Sequence, residues 1–310
     1  MRGQLAPHLQ DFIDSVNQLI LQAKNDGVVP TPEMAREKLA ALSSLNTSVP
    51  DISYSEERML VTDETSVPVR VYSANPNDSL PVVIYFHGGG HMCGDVELYD
   101  PMCRKIALAS ECHLISVDYR LSPEFPYPAG LEDAKAVVQN YQSVLSPLQS
   151  NERVIIAGDS AGGAICASLS MAKANGEELK IDQQVLIYPS LDYTLSQPSI
   201  EENGTGYFLE KPRIQWYFDN YFLNNEDRKL ASPLFGTINE KIPNTLVVTA
   251  GYDPLRDEAL AYSKLLQGAG VENQHHQFKH MIHAFMNIED LVPNECAELF
   301  ETIGQFIKQG

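Results

Sequence analysis

Residues 154–163 read VIIAGDSAGG, in which a short apolar run leads into a serine flanked by glycines and then into a helix-forming stretch. The G-x-S-x-G pattern predicts a sharp turn between a strand and a helix, with Ser160 at its tip. Side chains at Gly158 and Gly162 would collide across this turn, and the serine would be held in strained backbone geometry. The stretch therefore predicts a nucleophilic serine presented to a cleft.

Apolar runs and helical stretches alternate on both sides of this turn. The runs typical of buried parallel strands are 82–86, 114–118, 154–157, 185–188 and 246–250. Helices are predicted near 101–110, 129–141, 161–174, 255–268 and 294–308. An antiparallel strand pair, 58–61 and 67–72, is predicted to open the sheet. This rhythm predicts an α/β fold, with a mostly parallel central sheet flanked by helices.

Two segments lie outside this rhythm. Residues 11–24 have the apolar spacing of an amphipathic helix, and Thr31-Pro32-Glu33 marks the start of a second helix. Residues 191–235 are rich in aromatic side chains and contain no clear strand. Two interpretations of 191–235 stay open: an insertion over the edge of the sheet, or ordinary connecting helices packed on the core.

A glycine-rich loop follows the first buried strand and reads His87-Gly88-Gly89-Gly90. Successive glycines let backbone N–H groups approach an anionic oxygen without obstruction by side chains. We expect Gly88 and Gly89 to donate to that oxygen and His87 to support the loop. The third expected donor is the N–H of Ala161, at the start of the helix after the serine.

A serine hydroxyl is a poor nucleophile at neutral pH, so a histidine must accept its proton and a carboxylate must orient that histidine. After a G-x-S-x-G turn, these partners follow in the order Asp, then His. Asp253 comes just after a predicted strand, whereas its rival Asp257 falls inside the next helix. His283 lies in a loop after the probable last strand, and nearby His280 is the alternative base.

Composition excludes several classes of protein. The chain has 22 Lys and Arg against 41 Asp and Glu, so its net charge of −19 disfavours binding to nucleic acid or to anionic membranes. It contains neither a G-x-x-x-x-G-K-[ST] phosphate loop nor a long apolar run, so we expect a soluble cytoplasmic protein. The five cysteines are widely spaced and lack the pattern of a zinc site. No cofactor or metal is expected, because a serine nucleophile with a histidine base needs neither.

The ordered motifs together resemble the hormone-sensitive-lipase-like family of microbial esterases (bacterial esterase family IV), in the subgroup with GDSAGG at the nucleophile. The resemblance also includes VDYRLSPEFPYPAGLEDA at 117–134, YDPLRDEA at 252–259 and HAF at 283–285. It implies an α/β-hydrolase fold and a triad of Ser160, Asp253 and His283, which favours His283 over His280.

The resemblance further implies a helical cap made of residues 1–50 and about 191–235, over a catalytic domain of 51–190 and 236–310. It implies a carboxylesterase that acts on small-molecule esters with short to medium acyl groups, and a possible homodimer formed through the last strand. A noncatalytic small-molecule binding protein on the same fold is the alternative.

Three further residues are predicted to contact the substrate: Asp159, Met92 and Tyr188. Asp159 is adjacent to the nucleophile, where a role in stabilising the turn is an equally good interpretation. Met92 lies in His91-Met92-Cys93, directly after the glycines, where relatives commonly carry aromatic or aliphatic residues. The acyl-group preference is therefore not inferred from this segment.

Overall fold

A computed structural model describes residues 3–310 and contains one eight-stranded sheet. Its strands are β1 (Tyr54–Val61), β2 (Ser66–Ser73), β3 (Ser79–Phe86), β4 (His113–Val117), β5 (Gln149–Asp159), β6 (Gln183–Ile187), β7 (Asn244–Tyr252) and β8 (Asn273–Ile282). Their order across the sheet is β1-β2-β4-β3-β5-β6-β7-β8. β2 pairs antiparallel with β1 and β4, and every other pairing is parallel. The predicted mostly parallel sheet is confirmed.

The helices of the described chain also follow the predicted pattern. They are α1 (Gln10–Asn25), α2 (Pro32–Ala40), α3 (Asp100–Ser110), α4 (Ala129–Asn140), α5 (Ala161–Ala174), α6 (Ser199–Asn203), α7 (Lys211–Tyr221), α8 (Arg228–Ala231), α9 (Arg256–Gly268) and α10 (Pro293–Gln309). Thr31 caps α2 by accepting a hydrogen bond from the Met34 N–H, as the Thr-Pro sequence indicates. Three of these helices, α6 to α8, lie within 191–235.

Apolar side chains fill the space on both faces of the sheet. Along β3, Val83 and Tyr85 belong to the core on one face, and Val82, Ile84 and Phe86 belong to the core on the other. The first core also contains residues of the N-terminal segment, namely Ala6, Leu9, Ile13 and Leu42. The N-terminal helices are therefore packed directly on the catalytic fold.

The 191–235 segment has an apolar cluster of its own. Ile214, Phe218 and Tyr221 of α7 pack around Tyr193, and this cluster reaches Leu255, next to the turn after β7. No strand occurs between residues 191 and 235. The segment connects β6 to β7 without adding a strand, and it lies close to the carboxyl ends of the parallel strands; we call it the insertion.

Three further features lie outside the site. Within residues 3–310, no helix combines the length and the apolar character that a membrane span requires. The five cysteines are all buried and free, as expected of thiols that pack in the interior. In the same part of the chain, no group of His, Cys, Asp or Glu side chains has the arrangement of a metal site.

Candidate active site

The turn between β5 and α5 has the strained geometry expected from its sequence. Ser160 has φ 51° and ψ −114°, a conformation that non-glycine residues rarely adopt. A Cβ atom at Gly162 would lie 1.8 Å from the Phe86 carbonyl oxygen, and one at Gly158 would lie 2.5 Å from the Gly162 carbonyl carbon. The Ser160 N–H donates to the Ile187 carbonyl at 2.9 Å, which ties the turn to the neighbouring strand. Both glycines are therefore sterically required.

Ser160, His283 and Asp253 form one hydrogen-bonded line. The His283 Nε2 atom lies 3.0 Å from the Ser160 Oγ atom, and the His283 Nδ1 atom lies 2.8 Å from the Asp253 Oδ2 atom. Asp253 follows β7 directly and is fully buried, while His283 follows β8 and is 5% exposed. Three strand ends thus bring together three residues that are far apart in the sequence.

The two alternative candidates, His280 and Asp257, make contacts outside the triad. His280 lies within β8, and its Nδ1 atom is 2.5 Å from the Gln4 carbonyl oxygen in the N-terminal segment. Asp257 lies in α9 and accepts a hydrogen bond from the Arg256 Nε atom at 2.8 Å. Neither side chain takes part in the hydrogen-bonded line at the serine.

Further contacts fix the orientation of Asp253. Its Oδ1 atom accepts from the Leu255 N–H at 2.8 Å, so both carboxylate oxygens are engaged. The Asn203 side chain donates to the Asp253 carbonyl oxygen at 3.0 Å and to the Gly251 carbonyl oxygen at 3.3 Å. Asn203 was missed by the sequence reasoning, because it lies in the insertion and belongs to no motif. The insertion thus holds the backbone at Asp253 in place.

The predicted oxyanion donors need one correction. The Gly88 N–H donates to the Asp159 Oδ1 atom at 2.7 Å, so it is not free for a substrate oxygen. Gly89 and Gly90, with φ 122° and 66°, line the cavity beside Ser160, and the N–H groups of these two glycines have no acceptor within residues 3–310. The Ala161 N–H begins α5 and therefore lacks an intrahelical acceptor. The prediction that Gly88 donates to the substrate oxygen is wrong. The candidate donors are instead the N–H groups of Gly89, Gly90 and Ala161.

Asp159 fixes the glycine-rich loop from beneath. Besides the Gly88 N–H, its carboxylate accepts from the Tyr85 hydroxyl at 2.7 Å and from the Tyr99 hydroxyl at 3.1 Å. Burial raises the pKa of Asp159 to about 6, although all three hydrogen bonds oppose that rise. Asp159 lines the cavity, but its oxygens are used by the protein, so the turn-stabilising interpretation describes it better than substrate contact.

His87 supports the same loop. Its ring stacks on Tyr119 with a centroid separation of 4.5 Å, and its Nδ1 atom lies 2.8 Å from the Gly88 carbonyl oxygen. Burial lowers the pKa of His87 to about 4, so the imidazole is neutral at pH 7 and its Nδ1–H donates to that carbonyl. The geometry matches the structural role expected for His87.

Two other predicted substrate contacts are wrong. Met92 is fully buried, packs with Ala35 of α2 and Cys93, and is not among the residues that line the cavity. Tyr188 is also buried outside the lining, and its ring meets the His283 ring edge-on at a centroid distance of 4.9 Å. Tyr188 thus packs against the candidate base, and Met92 anchors the loop after the glycines to α2.

A cavity of about 360 Å³ lies above Ser160. We call its catalytic side the floor, which consists of the loops at residues 87–91, 159–161 and 283–284. We call the opposite side the roof, which consists of α1, the segment 32–42 and the segment 208–218. The residues of the roof that line the cavity are Phe12, Val16, Leu19, Ile20, Ala35, Lys38, Leu39, Ala41, Leu42, Phe208, Leu209, Arg213, Ile214, Tyr217 and Phe218. An apolar cavity of this size with a few polar groups fits a small organic ligand.

Comparison with known proteins agrees with this geometry. A family model described as the alpha/beta hydrolase fold matches residues 83–287, which include the glycine-rich loop, the serine turn, Asp253 and His283. The chain belongs to the α/β-hydrolase family. Its hormone-sensitive-lipase-like character, expected from the motifs, is supported by the same match and by the relatives described next.

The relatives are esterases. The chain is 32% identical to carboxylesterase NlhH of Mycobacterium tuberculosis over 299 residues, which cover 94% of this chain and 92% of that protein. It is 30% identical to an ethyl acetate hydrolase of Pseudomonas putida, with 83% and 82% of the two chains covered. A solved hyperthermophilic esterase from Pyrobaculum calidifontis superposes with a TM-score of 0.86 at 32% identity and 99% coverage of both chains. This α/β-hydrolase is therefore a carboxylic ester hydrolase.

Proposed function

We propose that Ser160, His283 and Asp253 hydrolyse a carboxylic ester in two steps through an acyl-enzyme. The observation that carries this proposal is the continuous line from the Ser160 Oγ atom through the imidazole to the Asp253 carboxylate, at 3.0 Å and 2.8 Å. Because the Asp253 Oδ2 atom accepts the Nδ1–H, the lone pair of His283 Nε2 faces the serine hydroxyl. The histidine is then in the tautomer that accepts the serine proton.

In the first step, His283 Nε2 takes the proton of Ser160 as the Oγ atom attacks the ester carbonyl carbon. The negative charge that develops on the carbonyl oxygen is stabilised by the N–H groups of Gly89, Gly90 and Ala161. The protonated imidazole then gives its proton to the departing alcohol oxygen. The carbon–oxygen bond to that alcohol breaks, and the acyl group stays on Ser160.

In the second step, His283 removes a proton from a water molecule, whose oxygen attacks the acyl carbonyl carbon. The same N–H groups stabilise the second oxyanion, because the carbonyl oxygen keeps its position. The bond to the Ser160 Oγ atom breaks as His283 returns the proton to that oxygen. The carboxylic acid leaves, and the enzyme regains its starting protonation state.

The size of the cavity supports short to medium acyl groups. Its volume of about 360 Å³ must contain both the acyl and the alcohol portions of the ester, under a roof of helices. Residues 1–50 and 191–235 together act as the cap in this proposal, since both segments contribute to the roof; residues 1 and 2 lie outside the described chain. The catalytic domain then comprises 51–190 and 236–310.

The first test compares the unaltered protein with Ser160→Ala on para-nitrophenyl butyrate at neutral pH. If the triad acts as a unit, loss of the nucleophile lowers kcat by roughly 10⁶-fold. Circular dichroism and thermal unfolding of the variant serve as the control for folding. Near-native turnover by a folded Ser160→Ala protein would refute the assignment of the nucleophile.

A series of para-nitrophenyl esters from acetate to dodecanoate extends the same experiment to acyl length. We expect the highest kcat/KM at short to medium lengths, and faster cleavage of dodecanoate than of butyrate would contradict that preference. The alternative, a binding protein without catalysis, predicts no turnover of any ester in the series together with measurable ligand binding. The complete hydrogen-bonded line favours the enzyme.

The homodimer and the cytoplasmic location stay predictions. On its outer side, β8 accepts hydrogen bonds from the N–H groups of Gly3 and Ala6 at Lys279 and His280, so part of that edge is already used. The proposed dimer would pair through the remaining part, near residues 273–278. Sedimentation equilibrium that gave the monomer mass across micromolar concentrations would refute it.

A further inference from the structure

The roof of the cavity contains an arginine. Among the residues that line the cavity, the full charges are those of Lys38, Arg213 and Asp159. Asp159 belongs to the floor, and its carboxylate is engaged by three donors of the protein. Lys38 and Arg213 belong to the roof, where all other lining side chains are uncharged. The side chains of the roof that line the cavity therefore have a net positive charge, although the whole chain has a net charge of −19.

Arg213 differs from most other arginines in the described part of this acidic chain, which pair with carboxylates. Arg36 pairs with Glu124 at 2.6 Å, Arg228 pairs with Asp219 at 2.7 Å, and Arg256 pairs with Glu202 at 2.6 Å. Arg213, by contrast, has no carboxylate within ion-pair distance in the part of the chain that the structure describes. A half-buried arginine that lines a ligand cavity and has no carboxylate partner is suited to an external anion.

The Arg213 guanidinium lies close to the glycine-rich loop. It lies near the Tyr217 hydroxyl and the Cys93 thiol. Burial raises the pKa of both groups, and the positive charge of Arg213 opposes that rise. The Tyr217 ring in turn covers Gly90, where an added Cβ atom would lie 2.6 Å from the Tyr217 Cγ atom. One tyrosine side chain therefore separates the positive charge from the loop at which the ester carbonyl is expected to bind.

We propose that the preferred ester of this enzyme carries a carboxylate group, which Arg213 binds while Ser160 attacks the ester carbonyl. The proposal rests on the esterase function above and names its substrate class: monoesters of dicarboxylic acids, or esters whose alcohol portion bears a carboxylate. The planar guanidinium offers paired N–H donors that match the two carboxylate oxygens, and Lys38 adds positive charge nearby. The apolar remainder of the roof accommodates the chain between the two functional groups.

The test uses two pairs of esters that differ mainly in the carboxylate. On the acyl side, mono-para-nitrophenyl glutarate is compared with para-nitrophenyl pentanoate, which has the same number of acyl carbons. On the alcohol side, para-carboxyphenyl butyrate is compared with phenyl butyrate. Rates are corrected for uncatalysed hydrolysis, since a neighbouring carboxylate accelerates it. In at least one pair, we expect the unaltered enzyme to have the higher kcat/KM on the carboxylate ester.

The variants are Arg213→Gln, Arg213→Lys and, as the matched control, Arg228→Gln. Arg228 also belongs to the 191–235 insertion, but it pairs with Asp219 and does not line the cavity. In Arg213→Gln we expect kcat/KM on the carboxylate ester to fall about tenfold through KM, with less than about a twofold change on the neutral ester. Arg213→Lys should retain part of the preference, and Arg228→Gln should retain all of it.

Ionic strength provides a second measurement that needs no variant. Added salt should raise KM of the unaltered enzyme for the carboxylate ester and leave that for the neutral ester nearly constant. An unchanged ratio of the two kcat/KM values in Arg213→Gln, for both pairs, would overturn the proposal. If that variant loses activity on neutral esters as well, absence of salt dependence in the unaltered enzyme overturns it instead. Failure of the unaltered enzyme on every ester tested, neutral and carboxylate alike, would refute the esterase mechanism itself.

Discussion

The floor and the roof of the cavity are held in place by different interactions. In the floor, charged and polar groups make directional bonds, such as those of Asp253 with His283 and of Asp159 with Gly88. The roof is held mainly by apolar packing, as between Phe12 of α1 and Phe208 of the insertion, whose ring centroids are 5.6 Å apart. Directional bonds fix atoms for chemistry, whereas apolar contacts fix a volume.

Because the two regions are held differently, substitutions in the floor and in the roof should have different effects on the kinetic constants. A substitution in the floor misaligns groups that act in the transition state, so it should lower kcat. A substitution in the roof changes contacts made equally by the bound ester and the transition state, so it should raise KM. The three predictions that follow test this division, beginning with the largest effect.

Asp253→Asn should have the largest effect of the three. The Asn amide can donate toward His283 Nδ1, which favours the tautomer with the proton on Nε2, and that tautomer cannot accept the serine proton. In a serine triad, the equivalent change costs roughly 10⁴-fold in kcat with the geometry intact. Steady-state kinetics on para-nitrophenyl butyrate measure it. Asp257→Asn is the matched control, because Asp257 contacts Arg256 and not His283.

The first prediction has a definite contrary outcome. A loss of kcat below about tenfold in Asp253→Asn would mean that another carboxylate orients the imidazole. A large loss in Asp257→Asn beside it would reverse the choice between the two residues. Either result would remove Asp253 from the proposed mechanism.

Asp159→Asn should have an intermediate effect. The amide oxygen can still accept from the Gly88 N–H and the Tyr85 hydroxyl, which share the Oδ1 atom, but the amide N–H₂ replaces the Oδ2 atom that accepts from Tyr99. The glycine-rich loop should then lose part of its alignment, and we expect kcat to fall about tenfold, less than the loss for removal of a whole oxyanion donor. Unchanged kcat would show that Asp159 does not position the loop.

The same variant gives a pH-dependent stability measurement. The folded pKa of Asp159, about 6, exceeds its ordinary value, so folding binds a proton there between about pH 4 and pH 6. The stabilisation from that proton is present at low pH and is lost as pH rises through about 6. The free energy of unfolding of Asp159→Asn minus that of the unaltered protein should therefore increase from pH 4 to pH 6 and then level off. A constant difference in urea titrations across this range would contradict the raised pKa.

The accuracy of the sequence predictions depends on whether a feature is set by local sequence or by tertiary contacts. The strands, the crossover helices and the position of Ser160 were predictable, because periodicity and turn chemistry are local signals. The choice of His283 over His280 came instead from the resemblance to the esterase family. The choice of Gly88 failed, because which N–H points outward depends on the partner that each N–H finds in three dimensions. The side chain of Asp159 is that partner, and its position next to the nucleophile was the available signal.

The errors at Met92 and Tyr188 have a related cause. Both residues are close to site residues, Met92 in the sequence and Tyr188 in space. Both nevertheless face the interior and support the site from behind. The role of Asn203 depends on how the insertion folds back over the turn after β7. Such contacts are tertiary, and no local pattern in the chain indicates them.

Phe12→Ala should have the smallest effect, and it tests the roof. Phe12 lines the cavity from α1 and packs on Phe208, so its truncation enlarges the cavity without touching a catalytic group. We expect KM for para-nitrophenyl butyrate to rise by roughly twofold to fivefold, because the ester loses part of its apolar contact with the roof. The kcat value should stay within about twofold of that of the unaltered enzyme. The longer esters of the series should lose less, because the enlarged cavity accommodates more of the acyl chain.

Leu21→Ala is the control for Phe12→Ala, since Leu21 lies on the same helix, is 58% exposed and does not line the cavity. It should leave both kinetic constants unchanged. If Phe12→Ala lowered kcat strongly while KM stayed constant, then the roof would also align the catalytic groups, and the division between the two regions would fail. A rise in KM alone would instead mean that the roof sets which ester binds and the floor sets how fast it reacts.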